Sequence, residues 1–191
     1  MKNYPLTTGE IAKYCGVNFR TVIRWIEKDY LISFKLPGRG DNRVTPENFV
    51  SFLMRNDMPV PRGFSSYVKK VLVVDDDPGM SGMIQRILIR NDYEVRVADN
   101  GFQAGSLMTE FRPALVILDL QMPGLSGFQV LKHIRDSEEL AATRVLVISG
   151  LGDAGLNLAL EAGADDVLSK PFDGTELWAR VQTLLPQQHS D

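Results

Sequence analysis

Five short strand-like segments, each followed by residues at helical spacing, constrain this chain more than any other feature. They lie at Val71–Val74, Glu94–Ala98, Ala114–Leu118, Arg144–Ile148 and Asp166–Leu168. Short runs of aliphatic and β-branched residues such as VLVV and ALVIL suit strands buried on both faces. Between them, Met80, Met83, Ile84, Ile87 and Leu88 line one helix, and Ala104, Leu107, Met108 and Phe111 line the next. A third helix uses Phe128, Leu131 and Ile134, a shorter one Leu156, Ala159 and Leu160, and the last runs from an Asp173 cap through Leu177, Val181 and Leu184. Parallel neighbours need crossover connections, so this alternation over residues 70–191 predicts an α/β fold: a five-stranded parallel sheet with helices on both faces.

Acidic, hydroxyl and basic residues recur where these strands end. The first runs into Asp75-Asp76-Asp77, the third stops at Asp119, the fourth at Ser149, and Lys170-Pro171 follows the fifth. Open α/β sheets place their ligand crevice at the carboxyl ends of the strands, and the flavodoxin-like order 2-1-3-4-5 makes the first and third strands neighbours. Asp75, Asp76 and Asp119 then converge. Carboxylates so close repel one another, and a hard divalent cation such as Mg²⁺ relieves the repulsion with oxygen ligands. One carboxylate is left as a nucleophile, while Lys170 offers a compact positive charge to a phosphoryl oxygen and Ser149 a hydroxyl donor.

The runs VLVVDDD, LVILDLQMPGLSG, VLVISG and GADDVLSKPF resemble the receiver domain of two-component response regulators over residues 70–186. Carried over position by position, the resemblance implies that Asp119 is the phosphoacceptor and that Asp76 and Asp119 ligate Mg²⁺ directly. Asp75 acts largely through water, and the main-chain carbonyl of Gln121 completes the protein ligands. Ser149 corresponds to the family's switch hydroxyl, Lys170 contacts the phosphoryl group, and the Lys170–Pro171 bond is expected to be cis. The phosphoryl donor implied is a histidine kinase or phosphotransfer protein. No enzymatic turnover is expected beyond self-phosphotransfer and autodephosphorylation. Val167 stands where the family usually has an aromatic switch residue, a side chain too small to swing between buried and exposed positions.

A haloacid-dehalogenase-type phosphatase is the competing reading, because it too uses an aspartate nucleophile in an Asp-x-Asp pattern that Asp75 and Asp77 match. Pro78 and Gly79 then depart from that family's sequence, and Lys170 follows the pair Asp165-Asp166 rather than preceding it.

Residues 1–57 follow a different pattern. Thr7-x-x-Glu10 is a capping box, with Leu6 and Ile11 placed as a hydrophobic staple, so a helix is expected from Thr8 to about Tyr14. After the turn Cys15-Gly16-Val17, Asn18 can cap a second helix whose Phe19, Val22, Ile23 and Ile26 are expected to bury one face. Strand-like Ile32–Leu36 and Arg43–Thr45 flank the turn-rich PGRGDN, and Thr45 caps a third helix with Pro46 at its first position. Helix, short turn, helix and basic hairpin form the layout of a small winged helix-turn-helix domain. The run LTTGEIAKYCGVNFRTVIRWIEKDYLI…RVTPENFVSFL resembles the excisionase and mercury-resistance-regulator class of DNA-binding domains. That resemblance places Asn18, Arg20, Thr21 and Arg24 in the major groove of double-stranded DNA, with Lys35, Arg39 and Arg43 of the wing on flanking DNA. A protein-interaction scaffold without a DNA target is the alternative for this module.

Charge supports a polyanion partner at the front of the chain. Residues 1–57 hold nine Lys/Arg against six Asp/Glu, about +3, whereas residues 71–191 hold nine against eighteen, about -9. Residues 58–69, rich in Pro, Gly and Ser, are expected to be a linker. The segment GADDVLSKPF…ELWARV also resembles the regulator subfamily whose phosphorylated receivers pair through the fourth helix, fifth strand and fifth helix. That implies a homodimer with Asp166, Glu176 and Arg180 on its face, an Asp166–Arg180 pair crossing the two-fold axis and Asp165 beside it. With Val167 in place of the aromatic switch, weaker coupling or another face is expected. A single cysteine, Cys15, suits a reducing cytoplasm, and no apolar run approaches the length of a membrane span.

Overall fold

The computed structural model describes residues 4–38 and 40–185, in two compact units that divide between Val68 and Lys69. In the first unit, β1 (Leu6–Thr7) leads into α1 (Thr8–Cys15), α2 (Phe19–Glu27), β2 (Phe34–Lys35), β3 (Asn42–Val44) and α3 (Pro46–Arg55). The Thr7 hydroxyl accepts from the Glu10 N–H at 3.1 Å, and the Glu10 carboxylate accepts from the Thr7 N–H at 2.9 Å, which closes the capping box. Gly16 ends α1 in the left-handed conformation at φ 65°, where a side chain would be strained. The three strands form an antiparallel sheet in the order β1-β3-β2.

Leu6, Ile11, Val22, Leu31, Val44, Phe49, Phe52 and Leu53 fill the core of this unit. Phe19, expected to share the buried face of α2, is instead 49% exposed. The helix meets the core through Val22, and Trp25 packs on Phe52 with ring centroids 4.8 Å apart. A second difference lies at residues 58–68. Expected as a spacer, this stretch is built into the first unit through a 3-10 turn at Arg62–Tyr67. Phe64 is 1% exposed, with its ring 5.3 Å from that of Phe49 and 5.2 Å from that of Tyr14. Burial of an aromatic ring outweighs the loop-forming composition around it.

The second unit is the expected five-stranded parallel sheet. Strands β4 (Lys69–Val74), β5 (Tyr93–Ala98), β6 (Leu115–Asp119), β7 (Arg144–Ser149) and β8 (Asp166–Ser169) lie in the flavodoxin-like order β5-β4-β6-β7-β8. The helices are α4 (Pro78–Ile89), α5 (Gly101–Phe111), α6 (Gly127–Asp136), α7 (Gly152–Glu161) and α8 (Gly174–Leu184). Side chains alternate across each strand, so two cores form. On one face, Leu72, Val74, Val116, Leu118, Val145 and Val147 meet Met108 of α5, Leu131 of α6 and Ala159 of α7. On the other, Val71, Val73, Leu115, Ile117, Leu146 and Ile148 meet Ile84 of α4 and Leu177 of α8. Leu160, expected inside, is 43% exposed, because α7 turns Leu156 and Ala159 inward instead. Among the described residues no helix is long and apolar enough to cross a membrane.

Candidate phosphoryl and cation site

Register brings the acids together. Val74 pairs with Leu118, so Asp75 and Asp119 each lie one residue past a matched pair on adjacent strands. Both are buried, at 3% and 5% exposure, while Asp76 is exposed. Among the described residues, these three carboxylates offer oxygens that all lie within 4.8 Å of one another. Asp77 does not join them: its Oδ1 accepts from the Gly79 N–H at 2.8 Å and the Met80 N–H at 3.4 Å, capping α4. The Asp-x-Asp pattern therefore does not become a pair of convergent acids.

Lys170 reaches the cluster from the end of β8. Its Nζ donates to Asp119 Oδ2 at 2.7 Å and to Asp75 Oδ2 at 3.0 Å. The Lys170 N–H donates to the Ser149 carbonyl at 3.0 Å, and the Lys170–Pro171 peptide bond is cis. Burial holds the Asp75 carboxyl above its ordinary range, against the Asp77 N–H and the Lys170 ammonium, which favour its charged form. For Lys170, burial pulls the pKa down, but hydrogen bonds to Asp119 and Asp75 outweigh it and leave the ammonium raised. Three carboxylates against one ammonium leave an excess of negative charge at the strand ends.

Two local devices hold the acceptor side. The Gln121 N–H donates to Asp119 Oδ1 at 3.0 Å, closing the loop after β6 on the carboxylate. Gly127 opens α6 directly against the end of β6: a Cβ there would collide with the Asp119 carbonyl oxygen and would lie 2.6 Å from the Leu120 Cα. A close backbone approach of this kind leaves no sequence pattern beyond the glycine itself. Ser149 is fully buried, and its Oγ accepts from the Leu151 N–H at 3.3 Å. Val167 packs against the core on the α5–α7 side.

On the first unit, Asn18 caps α2 by accepting from the Arg20 N–H at 2.9 Å. Asn18, Arg20 and Arg24 are exposed, Thr21 is half-buried, and Lys35 is exposed on β2. Arg43 is more confined, with an ion pair to Asp41 at 3.9 Å and a hydrogen bond to the Asn42 carbonyl at 3.1 Å. Arg39 lies outside the described residues.

The acids and arginines assigned to a dimer face are engaged within the chain. Arg180 NH1 donates to Asp166 Oδ1 and Oδ2 at 3.1 and 3.2 Å, so the pair expected across a two-fold axis forms inside one molecule. Glu176 caps α8, accepting from the Asp173 N–H at 3.1 Å. Asp165 is spent at the base of the sheet, accepting from Arg135 and the Val145 N–H at 2.7 Å each and from Arg144 at 2.6 Å.

A family model for the response regulator receiver domain matches residues 71–182. The chain is 37% identical over 117 residues to the DNA-binding dual master transcriptional regulator RpaA of Synechocystis, covering 61% of this chain and 48% of that protein. It is 35% identical over 123 residues to the DNA-binding response regulator MtrA of Mycolicibacterium smegmatis, covering 64% and 53%. The chain thus spans about half the length of the curated relatives it matches. Among solved structures, a signal receiver domain from Bermanella marisrubri is 43% identical with a TM-score of 0.58, covering 62% of this chain and 98% of that one. The signal receiver domain of a DNA-binding response regulator from Colwellia psychrerythraea is 28% identical with a TM-score of 0.59, covering 62% and 99%.

Proposed function

The chain belongs to the response regulator receiver family, and on that premise we propose that it takes a phosphoryl group on Asp119 and regulates transcription by binding DNA through its first unit. The observation that carries the receiver half is the buried Asp75–Lys170–Asp119 cluster, with Lys170 within 3.0 Å of both acids. Its donor set, all hard oxygen, fits Mg²⁺, which Asp75, Asp76, Asp119 and the Gln121 carbonyl would hold. When bound, the ion supplies charge neutralisation for phosphoryl oxygens. Asp119 is proposed as the acceptor because it ends β6 at the position the receiver family uses, and its Oδ2 lies 2.7 Å from Lys170 Nζ. Lys170 and Ser149 would hold the oxygens of the transferred group. A histidine kinase or phosphotransfer protein is the donor proposed. The chemistry modifies the chain itself rather than turning over a substrate, in a cytoplasmic setting.

For the first unit, the proposed ligand is double-stranded DNA. Exposed Asn18, at the N-cap of α2, and Arg20 and Arg24 within it form the proposed face for the major groove, flanked by Lys35 and Arg43. Arg39, between β2 and β3 in the sequence and outside the described residues, is proposed to add affinity. Arg24→Ala should shallow the slope of log affinity against log salt by about one if it meets a phosphate, or relax specificity at one base pair if it reads a base. Mobility shifts across a salt series check this. Arg24→Ala and Arg39→Ala both binding like the parent at every salt concentration would remove the docking face.

Two receivers are proposed to pair on the face of α7, β8 and α8 once phosphorylated. Arg180 and Asp166 would have to exchange their in-chain contact for its two-fold copy, so little net energy is gained from the pair. Exposed Leu158, at 56%, and Leu160, at 43%, are apolar contacts α7 can offer. Sedimentation should show the phosphorylated parent as a dimer and both Arg180→Glu and Leu158→Glu as weaker dimers. A monomeric phosphorylated parent, or variants that dimerise equally well, would rule this face out.

A further inference from the structure

Phe19 is the aromatic residue of α2 that stands outside the core of the first unit. It is the first residue of the helix, 49% exposed, and takes no part in the core that Val22, Trp25 and Ile26 join. Its neighbours on either side, Asn18 and Arg20, are exposed and polar. Helical side chains lean toward the N-terminus, so Arg24 projects over Arg20, and Phe19 and Arg20 project off the end of the helix. A helix docked in a major groove meets base edges with its N-terminal residues. A ring without hydrogen-bonding groups cannot satisfy the donors and acceptors of guanine, cytosine or adenine. Thymine is the one base that offers it a methyl carbon in that groove.

We infer that Phe19 contacts a thymine methyl group and so fixes one base pair of the recognised site, an inference that rests on the DNA-binding reading above. Arg20 and Arg24 supply charge together on one side of the ring. The ring supplies discrimination that does not depend on salt, because it touches no phosphate. Two copies of the chain on neighbouring half-sites would read one such thymine each.

Duplexes selected from a random pool by the full chain provide the test. Each thymine of a selected site is replaced in turn by deoxyuridine, which lacks only the methyl group. One replacement per half-site should weaken the parent about fourfold, the worth of one buried methyl group. Phe19→Ala should bind the thymine and deoxyuridine duplexes alike, select sites degenerate at that position and keep the parent's salt slope. Phe19→Leu, which keeps an apolar tip, should retain part of the preference. Thermal melting of Phe19→Ala should match the parent; a lower melting temperature would assign the ring to folding instead and overturn the inference. A parent indifferent to every replacement, or Phe19→Ala selecting and discriminating as the parent does, overturns it as well. A chain that selects a site without using Phe19 sinks this inference alone, whereas a chain that binds no duplex sinks the DNA reading with it.

Discussion

Lys170→Ala should slow phosphoryl uptake from acetyl phosphate by about 10²–10³-fold, the usual cost of removing one fixed donor to a developing oxyanion. Lys170 Nζ lies 2.7 Å from Asp119 and 3.0 Å from Asp75, and among the described residues no other side-chain cation pairs with either acid. Divalent cation affinity should not fall in this variant, because removing the ammonium takes one competing positive charge away from three carboxylates. The expected signature is therefore a split: slow phosphorylation with cation binding retained or tightened. Without a cation the variant should be less stable, since two buried carboxylates lose their partner, a loss of about 3–5 kcal/mol when a buried pair is broken. Titration calorimetry with Mg²⁺ and timed mass spectrometry separate the effects. Equal phosphorylation rates in variant and parent would contradict the assigned role of Lys170.

Phe64→Ala should destabilise the first unit by about 3–5 kcal/mol, the range for removing a buried aromatic ring. Phe64 is 1% exposed and its ring stands edge-on to those of Phe49 and Tyr14, at interplanar angles of 80° and 88°. A unit of 68 residues is stable by only about 3–10 kcal/mol, so the loss takes from about a third to all of its stability. Denaturant melts of residues 1–68, followed at Trp25, should show the midpoint collapse in Phe64→Ala. A fragment ending at Asp57 should behave at least as badly, because it also lacks Met58, Val60, Tyr67 and Val68. A midpoint unchanged in both would mean that residues 58–68 do not contribute to the fold of this unit.

That stretch also shows where sequence reading loses its grip. Two prolines, a glycine and two serines around residue 64 are turn chemistry, and turn chemistry reports the backbone rather than where one side chain goes. Phe64 was the signal available. In the receiver the reverse holds. Strands buried on both faces have no polar residue to spare, so VLVV and ALVIL state their burial directly, and the acids that end them mark the crevice. Asp75, Asp119 and Lys170 converge as expected because the register is fixed by those strands. Phe19 was misplaced for a different reason: the first residue of a helix fits the 3.6 spacing but lies past the end of the core it would need. The Asp166–Arg180 contact formed within the chain because strand β8 and helix α8 are adjacent, a geometry that a surface pattern does not encode.

Peptide mapping of the chain after treatment with acetyl phosphate and Mg²⁺ is the most direct test of the central claim. One acyl phosphate should be found, on the peptide carrying Asp119, dependent on the cation and absent from Asp119→Asn. An acyl phosphate on Asp75, or full phosphorylation of Asp119→Asn, would contradict it.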